Sequence, residues 1–311
     1  MNAIQRITVL LVLAISLMAS GCAPGQLFGP TVTPTPTLTA TATNTPVPPT
    51  ATDTPEPPTV APTPTPSIGS KWISPKDGMV MVYVPADNFL MGAVDSDPNP
   101  QANAKPQHTV YLDAFWIDQT DVTNAMYAKC VSASTCEKPI SARPYADPYS
   151  NSLFYNHPVV YVNWYMADTY CKWAGRQLPT EAQWEKAARG TDGRIYPWGN
   201  NAPTTKLLNF GNNIGDTTEV GKYPNGASIY GALDMEGNVT QWVADWYSDT
   251  YYQNSPVSNP LGPDSGQYRV SRGGSCNSGQ YYIGSAIRIP INPKVTDYEV
   301  GFRCSRSNSS P

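Results

Sequence analysis

The sequence predicts an α+β domain with little regular secondary structure, built mostly from short strands and long ordered loops. Strand-like alternation recurs between residues 79 and 117, three capped helical patterns lie between 124 and 190, and the chain beyond is punctuated by turn residues. Met79-Val-Met-Val-Tyr-Val-Pro85 alternates as a strand does and is followed by Asn88-Phe-Leu-Met-Gly92. His108-Thr-Val-Tyr-Leu-Asp113 alternates likewise and leads into Phe115-Trp-Ile117. A helix is expected from about Asn124 to Val131, with Thr123 or Asp121 as its N-cap. Trp164, Ala167, Cys171 and Ala174 recur at helical spacing, which predicts a helix over 163–174 that Gly175 can close. A short third helix begins at Thr180, which stands at capping-box distance from Gln183, and ends at Gly190. Beyond it, Gly193, Pro197, Gly199, Asn200, Gly211, Gly215, Pro224 and Gly226 leave room for short strands but few helices.

Composition narrows the function. The 311 residues carry 20 Lys+Arg and 24 Asp+Glu, a net charge of −4. With no basic surplus to displace counterions, nucleic acid is not an expected partner. Only two histidines occur, His108 and His157, which excludes a three-histidine metal centre. A serine hydrolase is not expected either: there is no Gly-x-Ser-x-Gly elbow, and a lone His157 reads as a structural residue.

The first 69 residues belong to export and spacing. Ile7 to Met18 is an apolar run, too short to span a bilayer but of signal-peptide length. Ala19-Ser20-Gly21-Cys22 resembles a bacterial lipobox, with Ala19 where leucine is usual. Residues 1–21 are therefore expected to be a lipoprotein signal peptide, and Cys22 the lipidated N-terminus that anchors the exported chain to the bacterial cell membrane. Residues 22–69 are expected to form a disordered stalk. Between Pro30 and Pro66, 12 Pro and 14 Thr fill 26 of 37 positions, a composition that cannot bury a core and favours extended polyproline II. Residues 70–308 are left as the folded domain outside the cytoplasm.

The domain's segments, taken in order, resemble the formylglycine-generating enzyme (sulfatase-modifying factor) family. The matching stretches include Met81-Val-Tyr-Val-Pro-Ala-Asp-Asn-Phe-Leu-Met-Gly92, His157-Pro-Val-Val-Tyr-Val-Asn-Trp164 and Leu178-Pro-Thr-Glu-Ala-Gln-Trp-Glu185. Further on come Tyr196-Pro-Trp-Gly199, Gly231-Ala-Leu-Asp-Met-Glu-Gly-Asn-Val-Thr-Gln-Trp242, Arg272-Gly-Gly-Ser275 and Gly301-Phe-Arg-Cys304. The resemblance implies a C-type-lectin-related fold, often with bound calcium.

It does not carry the chemistry with it. Family members that oxidise a sulfatase cysteine to formylglycine hold copper(I) with two thiolates, soft ligands for a soft ion. Counted from Gly273-Gly274-Ser275, those cysteines should stand at 278 and 283, where this chain has Ser278 and Ile283. Cys276 lies two residues early and is a weak catalytic candidate; copper is not expected. The family's other oxidative chemistry, non-haem iron sulfoxide synthesis, needs more histidines and a preceding helical domain.

The resemblance also pairs Cys171 with Cys304. Cys130 and Cys136, with five residues between them, suit a local bridge, which leaves Cys276 over. Two calcium sites are implied. One comprises Asn209, the Phe210 carbonyl, Asp216 and the Thr218 carbonyl; the other comprises Asp234, the Gly237 and Val239 carbonyls, and Gln241 where many relatives have glutamate. The function expected is a ligand-binding or scaffold module, with formylglycine-generating oxidase activity at a rearranged site as the alternative. Its surface would include Asn277, Gln280, Tyr281, Tyr282, Arg288 and Tyr298, facing an extracellular glycan, peptide or protein.

Overall fold

A computed structural model describes residues 65–141 and 148–308; the signal peptide, Cys22 and nearly all of the stalk lie outside them. The alternating segments at the start of the domain form strands that pair as hairpins. β1 (Lys71–Ile73), β2 (Val80–Val84), β5 (Phe115–Asp118) and β10 (Ser305–Ser307) make one antiparallel sheet in the order β1-β2-β5-β10. β3 (Asp87–Met91) and β4 (His108–Leu112) pair separately. A second four-stranded sheet runs β8-β7-β6-β9, from β6 (Thr240–Trp246), β7 (Arg269–Arg272), β8 (Ile289–Ile291) and β9 (Val300–Phe302). Its β6–β9 pair is parallel. The described residues thus form one mixed helix-and-sheet domain with few helices.

The three expected helices are present, and the caps explain their starts. α1 (Asn124–Ser132) begins where the Thr123 hydroxyl accepts from the Met126 amide. α2 (Trp164–Trp173) begins at Asn163, whose side chain accepts from the Met166 amide. α3 (Glu181–Arg189) has the full Thr180/Gln183 capping box and ends at Gly190, φ +73°. Two disulfides fasten the scaffold: Cys130–Cys136 across the end of α1, and Cys171–Cys304 between α2 and the loop before β10.

α3 is the element that places the site. Its sequence reads as a charged surface helix, yet Glu181, Glu185, Lys186 and Arg189 are all buried. Each is paired. Glu181 accepts from Arg272 at 2.9 Å and from Arg288 at 2.7 Å, and Glu185 accepts from Arg272 at 2.6 Å and from Arg189 at 3.0 Å. Lys186 donates to the Pro85 and Asp87 carbonyls. Arg189 donates to the carbonyls of Gly92, Gly193 and Arg194. A helix of charges therefore ties the N-terminal hairpins to the C-terminal loops that start at Arg272. Burial alone would raise the Glu181 carboxyl, but the Arg288 and Arg272 guanidinium groups more than offset it and hold the carboxyl below its ordinary value.

Candidate functional site

The segment after β7 folds back on itself at Gly273 and Gly274. Both adopt positive φ, +90° and +66°, and a Cβ on Gly273 would meet the Met235 carbonyl at 2.5 Å. A Cβ on Gly274 would lie 2.9 Å from Ile283 Cδ1 and 3.3 Å from Ser278 Cβ. The fold thus gathers positions 278 and 283 around one point, and at that point stand a hydroxyl and an isoleucine. Ile283 is buried and forms a small cluster with Tyr196 and Leu208. Among the described residues Cys276 is the one cysteine outside a disulfide; it is buried, its amide donating to the Asn238 carbonyl at 2.9 Å and its carbonyl accepting from Asn212 at 2.7 Å.

Around Ser278 lies a polar cluster. The Ser275 amide donates to Ser278 Oγ at 2.9 Å, and the Ser275 hydroxyl donates to Glu299. Asn277 donates to Glu299 Oε1 at 2.9 Å and to the Tyr298 hydroxyl. Burial opposes ionisation of Glu299, but the hydrogen bonds from Ser275, Asn277 and Tyr298 prevail and keep its pKa below the usual value. Glu299 was not legible in the sequence as a site residue; its nearest signal was its place just before Gly301-Phe-Arg303.

Beyond Ile283 a cavity of about 240 Å³ opens, lined by Pro98, Ile195, Tyr196, Ile283, Ala286 and Ile287 among others. Tyr281, on its rim, also lines a wider depression of about 680 Å³ that includes Gln101, Asn103, Asp249, Gln253 and Tyr282. Beneath the first cavity's wall, the buried Glu236 accepts from the Gly284 amide at 3.1 Å and from the Ser285 hydroxyl at 3.2 Å. Burial pushes its carboxyl up to about 8, against an ordinary 4.5. The folded state therefore binds this proton more tightly than the unfolded one, and Glu236 withdraws stability as pH rises from about 4.5 to about 8. Glu236→Gln is expected to melt at a temperature whose advantage over the parent grows across that interval. A melting difference constant with pH would contradict this assignment.

Of the six residues expected to form the ligand surface, Gln280, Tyr281 and Tyr282 are exposed, and Asn277 and Tyr298 are half-buried. Arg288 is not at the surface. It is 2% exposed, because its guanidinium pairs with Glu181 and its remaining donors go to the Asn103 and Ser248 carbonyls. A cationic side chain in that position was easily read as a contact residue; its carboxylate partner lies 107 residues away in sequence.

The two calcium sets differ in fit. Asn209 turns its amide nitrogen to the Asp216 carbonyl at 2.9 Å and leaves Oδ1 buried with no hydrogen-bond partner. A buried oxygen in that state is what a hard cation would satisfy. In the second set, Gln241 Oε1 already accepts from Trp184 at 2.8 Å and Arg303 at 2.7 Å, and its Nε2 donates to the Asp234 carbonyl at 2.7 Å. Gln241 is therefore a hydrogen-bonding hub, not a side-chain oxygen awaiting a metal. Asp234 accepts from the Gly221 amide at 2.6 Å. His157 contacts Thr217 Oγ1 through Nδ1 at 3.0 Å, a structural role.

The sulfatase-modifying factor enzyme 1-like domain model matches residues 73–308. The chain belongs to that family. It is 33% identical over 292 residues to the formylglycine-generating enzyme of Streptomyces coelicolor, covering 74% of this chain and 90% of that enzyme. It is also 35% identical over 245 residues to the serine/threonine-protein kinase Pkn1 of Chlamydia trachomatis, covering 73% of this chain but only 38% of that protein. Among solved structures, PvdO from Pseudomonas aeruginosa superposes with a TM-score of 0.68 at 25% identity, over 78% of this chain and all of PvdO. In this chain Ser278 and Ile283 both border Gly274, and neither is a cysteine.

Proposed function

We propose that this chain is an exported, lipid-anchored, ligand-binding member of the family that lacks the two-thiolate copper site. The observation that carries this reading is the pairing of Ser278 with Ile283 around Gly274: neither side chain supplies a thiolate, and an aliphatic group lines the adjoining cavity. Anchoring rests on Cys22 and its preceding small residues, with the Pro/Thr tract as a spacer. Among the described residues no helix is long and apolar enough to cross a membrane. The C-type-lectin-related fold that the family resemblance implies suits a loop surface used for recognition.

Calcium belongs to this reading at one place. Asn209 Oδ1, Asp216 and the Phe210 and Thr218 carbonyls supply hard oxygens, and an ion there would pin the long loops around residues 209–218. Chelation of calcium is expected to lower the melting temperature of the parent and leave Asn209→Ala unmoved; equal shifts in both would remove Asn209 from the site.

A second reading, oxidation at a rearranged site, is favoured by the 33% identity to a formylglycine-generating enzyme across 90% of its length. The two are separated by incubating the full chain with copper, oxygen and a Cys-x-Pro-x-Arg peptide. The binding reading expects no aldehyde. Turnover abolished by Cys276→Ser would establish the oxidase.

A further inference from the structure

We propose that the Tyr281–Tyr282 rim and its two depressions form a binding site for a neutral saccharide carrying N-acetyl groups. This rests on the binding-module reading above and adds the class of ligand.

The rim supplies the stacking surface. Tyr281 and Tyr282 are 60% and 49% exposed, with ring centroids 5.2 Å apart and planes at 84°. The Tyr281 carbonyl accepts a hydrogen bond from Asn99, which ties the rim to the facing loop. Rigid, amphipathic rings of this kind can stack on the C–H faces of a sugar ring while their hydroxyls stay wet. The wider depression beside them is lined by Gln101, Asn103, Thr250 and Gln253, whose amides and hydroxyl both donate and accept. That chemistry suits neighbouring sugar hydroxyls.

Charge excludes acidic ligands. The two cations that line the depressions, Arg189 and Arg288, are directed into the protein: Arg189 to Glu185 and three carbonyls, Arg288 to Glu181 and two carbonyls. Asp97 and Asp249 stand on the lining instead. A carboxylate, phosphate or sulfate would find no charge-assisted donor there.

The smaller cavity sets the substituent. Beside its polar Asp97, Asn99 and Gln280, the cavity has an apolar side of Ile195, Ile283, Ala286 and Ile287, and a hydroxyl set against that side would be unpaired. An acetamido group would set its methyl against that side, and Asn99 and Gln280 on the same lining offer partners to its amide. Filling an apolar pocket with such a group discriminates by about tenfold or more.

Calorimetric titration of the full chain, extracted in detergent, with chitotetraose and with cellotetraose tests the site. Chitotetraose is expected to bind, at least about tenfold more tightly than its unacetylated counterpart. Tyr281→Ala with Tyr282→Ala should weaken it by at least about tenfold with an unchanged melting temperature. Ala286→Leu, which fills the smaller cavity, should erase the preference for the acetylated sugar. Ile287→Ala, which enlarges that cavity, should lower the preference without overfilling a packed wall. Silence toward both sugars, equal affinity for the two, or binding indifferent to the tyrosines overturns the saccharide site. If the silent protein instead retains peptides from a random library through Tyr281 and Tyr282, the saccharide is wrong and the binding module stands. Aldehyde formation on the cysteine peptide would overturn the module itself.

Discussion

Arg272→Met is expected to destabilise the domain by about 2–3 kcal/mol, because it takes a charged donor from each of two buried carboxylates. Arg272 is fully buried over Trp184, with its guanidinium carbon 5.1 Å from the ring centroid. It donates to Glu181 at 2.9 Å, to Glu185 at 2.6 Å and to the Ser285 carbonyl. When Arg272 is removed Glu181 retains Arg288 and Glu185 Oε1 retains Arg189, but Glu185 Oε2 loses its charged donor and keeps only a 3.5 Å contact from the Tyr252 hydroxyl. Glu185 still balances the buried Arg189, so Arg272→Met with Glu185→Gln is expected to be no more stable than Arg272→Met alone. Urea midpoints at constant m-value measure both. A loss below about 1 kcal/mol, as for an exposed ion pair, would mean that the charges of α3 do not hold the C-terminal loop.

The second large effect is expected from the long disulfide. Replacing Cys171 and Cys304 together by alanine opens a loop closed over a separation of 133 residues, worth about 5 kcal/mol in the chain-entropy account. The short Cys130–Cys136 loop, with a separation of 6, should be worth about 2 kcal/mol in the same account. Both bridges also pack against buried side chains: all four cysteines lie in one core cluster with Tyr127, Tyr170 and Phe302. The order of the two losses is the test. A larger loss from the 130–136 pair would show that local packing outweighs loop closure.

The elements that were legible in the sequence are those whose signal is local. Thr123, Asn163 and Thr180 cap helices within three residues of themselves, and the alternation of Val80–Val84 needs only a neighbouring strand to hide one face. The turn-rich C-terminal half was legible as a class but not in detail. The parallel pairing of β6 with β9 joins residues some 60 positions apart, Thr240 with Val300, through intervening loops that no period announces. The candidate site was half legible. Motif spacing singled out Ser278 and Ile283, and the structure sets both beside Gly274. Arg288 was misread because exposure is the default for arginine; only the fold brings Glu181 to it and makes burial tolerable. Gln241 illustrates the same limit. A carboxamide in a calcium position looks like a weakened ligand until Trp184 and Arg303 are seen to occupy its oxygen. Glu236 and Glu299 were missed because single acids in loops carry no sequence signature.

On the proposed function, Ser278 and Ile283 leave the region around Gly274 unable to hold copper(I). Competitive titration of copper(I) against a chromophoric chelator tests it, with the full chain and its Ser278→Cys/Ile283→Cys variant side by side. The parent is expected to leave copper with the chelator. The double variant is expected to withdraw one equivalent, because both substituted residues border Gly274 and supply two thiolates. Uptake of one copper(I) by the parent, lost in Cys276→Ser, would contradict the account and return the chain to the oxidases.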